Sequence, residues 1–154
     1  MTFFPAAGRL DARCPLRDDR RVQILRIVLF GSAGFLSLAL LAAWIPEAWM
    51  DRGHQALGLG PKPDSPVYEY LARSIALLYG FHGVLTFLVA RDLRRYLTIV
   101  RYVGSVNVCF GVAVTAIDIE AGMPAIWAWM EGPPTAAVGL LILILAREPR
   151  SVDV

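Results

Sequence analysis

The sequence predicts an all-α membrane protein, a four-transmembrane-helix bundle with an interfacial helix between spans one and two. Three observations carry this prediction. The 154 residues are 56% hydrophobic and only 18% charged, against roughly 45–50% and about 25% in a soluble domain. Mean hydropathy is +0.54. The apolar residues are also gathered into long runs that alternate with short charged stretches. Such blocking excludes a disordered chain, a secreted disulfide scaffold and an ordinary cytosolic enzyme.

The chain divides into a cytoplasmic Arg-containing tail, 1–21, a transmembrane domain, 22–148, and a short cytoplasmic tail, 149–154. The first tail holds Arg9, Arg13, Arg17, Arg20 and Arg21 among Asp11, Asp18 and Asp19. It is long for the n-region of a signal peptide, and the apolar run behind it exceeds an h-region. That run, from about Val22 to Trp44, reads as an uncleaved first span ended by Pro46. Residues 46–65 mix Trp49, Met50 and Leu57 with charged and Gly/Pro positions, as expected of a short interfacial helix followed by a loop. Ser65-Pro66 then supplies an N-cap and a first-turn proline.

The second span is predicted from about Pro66 to Ala90, a charged hairpin at Arg91-Asp92-Leu93-Arg94-Arg95 follows, and the third span runs from Tyr96 to Ala121. Gly122 and Pro124 close it. For the last span two readings are open. Either the helix begins near Ile126 and passes through Pro133-Pro134, or Met123–Glu131 is a separate interfacial turn and the helix starts at Pro133. The second is favoured, because paired prolines suit a helix start better than its interior.

Basic residues fall mainly in the tails and the 91–95 hairpin, whereas segments 46–65 and 122–132 contain only Arg52 and Lys62. The bias predicts cytoplasmic termini in a prokaryotic plasma membrane. Trp44, Trp49, Trp127 and Trp129 then gather at the outer boundary, the depth that indole rings favour.

Ionisable groups inside a span are costly and mark candidate sites. Glu69 and Arg73 lie four apart on one face of span two, continued by Ala76, Gly80 and Gly83, with Tyr79 and His82 on an adjacent stripe. Gly104, Asn107, Gly111, Thr115 and Asp118 make a matching stripe on span three. If the 91–95 hairpin packs these spans face to face, His82 meets Asn107, and Arg73 lies one turn from Asp118. The candidate intramembrane polar cluster is therefore Glu69, Arg73, Asp118, His82 and Asn107. The plainer reading gives these groups structural work. Glu69 complements the positive end of a helix dipole, Arg73 ties carboxylates together, and His82 and Asn107 share an interhelical hydrogen bond.

Other classes are excluded by what is missing. A net charge of +2 is too balanced for a nucleic-acid binder. The cysteines, Cys14 and Cys109, are far apart and form no CxxC pair. No phosphate-binding, dinucleotide-binding, zinc-protease or hydrolase motif occurs, and His54 and His82 lie at different depths, so no metal or other cofactor is expected.

The run Leu57-Gly58-Leu59-Gly60, then Tyr70-Leu71-Ala72-Arg73 and Tyr79-Gly80, the basic hairpin and a short closing span after Glu131 resemble small four-helix bacterial membrane proteins related to the DoxX family. The resemblance covers about residues 22–148 and implies a four-helix bundle, with some relatives serving as accessory subunits in quinone-linked oxidation. It supplies no catalytic motif for these positions. The function expected first is a non-enzymatic subunit or accessory factor embedded in the lipid bilayer, with a membrane protein partner or a second copy of itself. The alternative is an enzyme or carrier that binds a lipid-like or quinone-like ligand within the bundle.

Overall fold

A computed structural model of the chain describes residues 19–147. The expectations placed on Cys14 and on most of both tails fall outside these residues. Among the described residues six helices follow one another: α1 Asp19–Ser37, α2 Ala39–Ala42, α3 Glu47–Ala56, α4 Pro66–Arg91, α5 Leu97–Glu120 and α6 Ala125–Leu145. Four segments are long and apolar enough to cross a membrane: Arg20–Ala42, Pro66–Arg91, Leu97–Glu120 and Ala125–Leu145. The all-helical fold with four membrane-spanning helices is thus the one the sequence predicts.

Local chemistry accounts for most boundaries. In α4, Ser65 occupies the N-cap with an extended backbone and Pro66 opens the first turn, although the serine side chain makes no capping bond. Gly122 ends α5 in the left-handed region, φ 69°. There Met123 N–H donates to Asp118 O at 2.9 Å and Gly122 N–H to Ile119 O at 3.2 Å, the paired bonds of a Schellman close. Gly58 closes α3 in the same way, with Leu59 N–H donating to His54 O at 3.1 Å.

The fourth span corrects the favoured reading. α6 begins at Ala125 and runs through Pro133 and Pro134 without interruption. Small residues on both sides of the proline pair meet α5. A side chain on Gly132 would strike Gly111 O and Thr115, and one on Gly139 would strike Gly104 O at 2.6 Å and Val108 N at 2.7 Å. One continuous helix keeps both contacts. Within a span, neighbouring helices and hydroxyl side chains compensate for lost backbone bonds, and Thr135 Oγ1 donates to Glu131 O at 2.7 Å.

The helices pack as two pairs. α5 lies along α6, and α1 with α2 lies along α4, whereas α4 and α5, adjacent in sequence, touch little. Glycine positions fix both seams. A Cβ on Gly83 would stand 2.6 Å from Ser37 N and 2.9 Å from Ala33 O, and one on Gly80 would run into Leu40. The face-to-face packing of spans two and three expected from the 91–95 hairpin therefore does not form. Leu93, only 1% exposed, sits in that turn and belongs to the core instead of the solvent. This core of Leu25, Leu29, Val89, Ala90, Leu93, Leu97, Val100, Ile142 and Ala146 joins the two pairs at one end of the bundle. Arg101 fastens the same end, its Nε donating to Ala146 O at 3.0 Å just beyond α6, where a cation suits the helix terminus.

Candidate functional site

The polar residues expected to cluster are distributed over separate contacts. Glu69, in the first turn of α4, receives a hydrogen bond from Lys62 Nζ at 2.6 Å and forms an ion pair with it. The loop that presents Lys62 is itself well tied. Lys62 N–H donates to Asp51 Oδ1 at 2.8 Å, and its ammonium stands 5.9 Å from the centre of the Tyr68 ring. The His54 ring packs edge-on to Tyr68 at 5.7 Å, and Nδ1 of His54 lies 3.2 Å from Gly60 O. The hydrogen bond to Glu69 holds the Lys62 ammonium above its ordinary pKa of 10.5. The sequence marks Lys62 only as an outer-loop charge, because the fold of the loop, not its composition, brings it to Glu69.

Arg73 turns away from span three. Its Nη1 donates to Ala43 O at 2.8 Å, at the end of α2, so it joins α4 to the first span, while Glu69 supplies a weaker electrostatic attraction. The expected triad of Glu69, Arg73 and Asp118 is not assembled. His82 and Asn107 also go separate ways. Asn107 packs beside Gly139 of α6, the His82 carbonyl accepts the Thr86 hydroxyl at 2.9 Å, and the two side chains share no hydrogen bond among the described residues. Both corrections have one cause: the glycine seams of α4 and α5 face different partners.

Asp118 stands apart from these contacts. It is 5% exposed, and among the described residues its Oδ2 has no hydrogen-bond partner. Its electrostatic neighbours are Glu131 of α6 and Tyr79 of α4. The Tyr79 hydroxyl and the Trp127 indole N–H both neighbour the Glu131 carboxyl group, and the Tyr79 ring packs edge-on against Phe110 at 5.9 Å. Helix contact explains the meeting of carboxyl groups. Gly132 sits against Thr115, so Glu131, next to Gly132, comes within a turn of Asp118, three residues beyond Thr115.

Glu131 is the site residue that sequence reasoning missed. Starting the last helix at Pro133 left it in an external segment. Its spacing of four from Trp127 was the available signal, because that spacing places both on one face of a helix that starts at Ala125. Among the described residues, no group of three or more His, Cys, Asp or Glu side chains could hold a metal ion. No protein-family model matches the chain, and no curated protein or solved structure is significantly similar to it.

Proposed function

We propose that the protein is a non-enzymatic subunit or accessory factor of a prokaryotic plasma membrane, with both termini on the cytoplasmic side and α3 lying at the outer interface. The carrying observation is the Arg73–Ala43 contact at 2.8 Å. The most costly ionisable residue of the second span is engaged with backbone, where it joins two helices and is not left to orient a substrate. The Lys62–Glu69 pair fits the same reading, since it fastens the 57–65 loop to the start of α4. Kinship with the DoxX-related proteins belongs to this proposal and rests on shared layout.

Sidedness rests on arginine placement and on tryptophans at the opposite ends of the helices. Reporter fusions after Ser65 and Gly132 are expected to be external, and fusions after Arg95 and Val154 cytoplasmic. An external C-terminus would overturn the arrangement. The role is tested by purifying the full chain in native lipid discs, followed by mass spectrometry of everything retained. A stoichiometric membrane protein, or a second copy of the chain, is expected. A stoichiometric lipid-like or quinone-like molecule without a protein partner would overturn the proposal in favour of a ligand-binding bundle.

A further inference from the structure

The end of the bundle opposite the apolar core carries a polar feature that the structural reading of Arg73 and Glu69 does not use. Asp118 is nine-tenths buried, and its Oδ2 meets no donor among the described residues. A buried oxygen left in this condition is unfavourable in a low-dielectric layer unless something positive or hydrogen-donating approaches it. The groups that face it leave this oxygen unpartnered, because the Tyr79 hydroxyl, which could donate, is engaged with the Glu131 carboxyl group. From α6 comes Glu131, a second carboxyl group; from α4 comes the Tyr79 hydroxyl. Arg73 of α4 donates to Ala43 O, and on α5 itself the neighbouring Glu120 is exposed and acidic.

The turn that carries Glu131 has further acceptors. Pro133 and Pro134 lie inside α6 and have no N–H, so the carbonyls of Trp129 and Met130 lack the donors that an uninterrupted ladder would give them. The ligand side chains brought together here among the described residues offer oxygen: two carboxyl groups and a phenol. Nitrogen and sulfur ligands, which suit zinc, copper or iron, are not part of the set, whereas hard cations take oxygen donors.

We propose that Asp118 and Glu131, with the Tyr79 hydroxyl beside them, form a binding site for a hard inorganic cation between α5, α6 and α4 in the outer half of the bundle. The cation stabilises the end of the molecule where the two helix pairs share no apolar core. The site goes beyond the accessory role proposed above and does not depend on it, because a subunit or a ligand-binding bundle would hold the ion equally well.

The test is thermal unfolding of the full chain in lipid discs, in choline chloride and then with NaCl, KCl, MgCl2 or CaCl2 substituted at equal ionic strength. A ligand that binds only the folded state raises the midpoint in a saturable way. At least one of the four salts is expected to do so relative to choline. Asp118→Asn is expected to unfold at a higher temperature than the unaltered chain in choline, since it removes an uncompensated buried carboxyl group, and to lose the response to the cation. Glu131→Gln is expected to lose the response as well, which keeps the test decisive if Asp118→Asn folds poorly. Glu120→Gln, at an exposed position on the same helix end, is expected to respond like the unaltered chain. Equal midpoints in all five salts would overturn the proposal, as would a full response retained by Asp118→Asn or Glu131→Gln.

Discussion

Gly83 and Gly34 lie on different sides of the same packing problem. A methyl group on Gly83 would meet the backbone of α1, 2.6 Å from Ser37 N, whereas one on Gly34 would meet nothing within 4 Å. Gly83→Ala therefore has to part α1 from α4 and is expected to cost about 1–3 kcal/mol, the usual range for overpacking. Gly34→Ala is expected to be neutral or to stabilise by up to about 1 kcal/mol through helix propensity. Denaturant titration of both variants in one detergent checks the contrast, and equal stabilities would refute the seam. Lys62 gives a residue-scale prediction in pH. Its folded pKa is raised above 10.5 by the bond to Glu69. The contribution is therefore complete below that value as long as Glu69 remains ionised, and disappears as pH rises through the folded pKa. Protection of the amides of residues 47–69, taken relative to the intrinsic exchange rate at each pH, should fall above about pH 10.5 in the unaltered chain. In Lys62→Met the same segment should exchange faster at neutral pH, with the alkaline step gone.

At the scale of elements, α6 shows why local rules and helix packing can disagree. Two prolines remove two backbone donors, which would end most helices in water. In α6 the small residues Gly132 and Gly139 lie on either side of the prolines and are both needed against α5. A break at Pro133 would rotate one of them off the seam. Single-cysteine scanning from Ala125 to Leu145, on a background without Cys14 and Cys109, should therefore give labelling with one unbroken helical period of 3.6 residues. A phase jump at Pro133-Pro134 would show that the two halves are separate elements. The ends of α3, α4 and α5 posed no such conflict, because Gly58, Ser65-Pro66 and Gly122 act through their own backbone angles.

For the whole molecule, the decisive property is the choice of partners. α4 packs on α1 and α2, α5 packs on α6, and the apolar core joins the pairs at one end. The rings of Phe30 and Phe87, from α1 and α4, lie 5.2 Å apart, while Gly83 of α4 is buried against α1 and Asn107 of α5 packs beside Gly139 of α6. In a cysteine-free background, a short thiol crosslinker should join Phe30→Cys to Phe87→Cys readily. It should leave the pair His82→Cys and Asn107→Cys largely unlinked. The opposite ranking would restore a hairpin of spans two and three lying face to face.

What the sequence determined by itself is local. Hydropathy over some twenty residues marks a span wherever it ends up, and glycine, serine and proline end helices through their own backbone chemistry, so the four spans and most of their boundaries could be read directly. The intramembrane residues Glu69, Arg73, Asp118, His82 and Asn107 could also be picked out one by one, because burying such groups is costly in any arrangement. Their partners could not. Stripes of small residues on α4, α5 and α6 are chemically alike, and nothing within one stripe specifies which other stripe it meets. Only the tertiary structure assigned Gly83 to α1 and Gly111 to α6. That assignment separated Arg73 from Asp118, carried α6 through its prolines and brought Glu131 to Asp118, since a seam fixed by close backbone approach outweighs both turn geometry and the local cost of a missing donor.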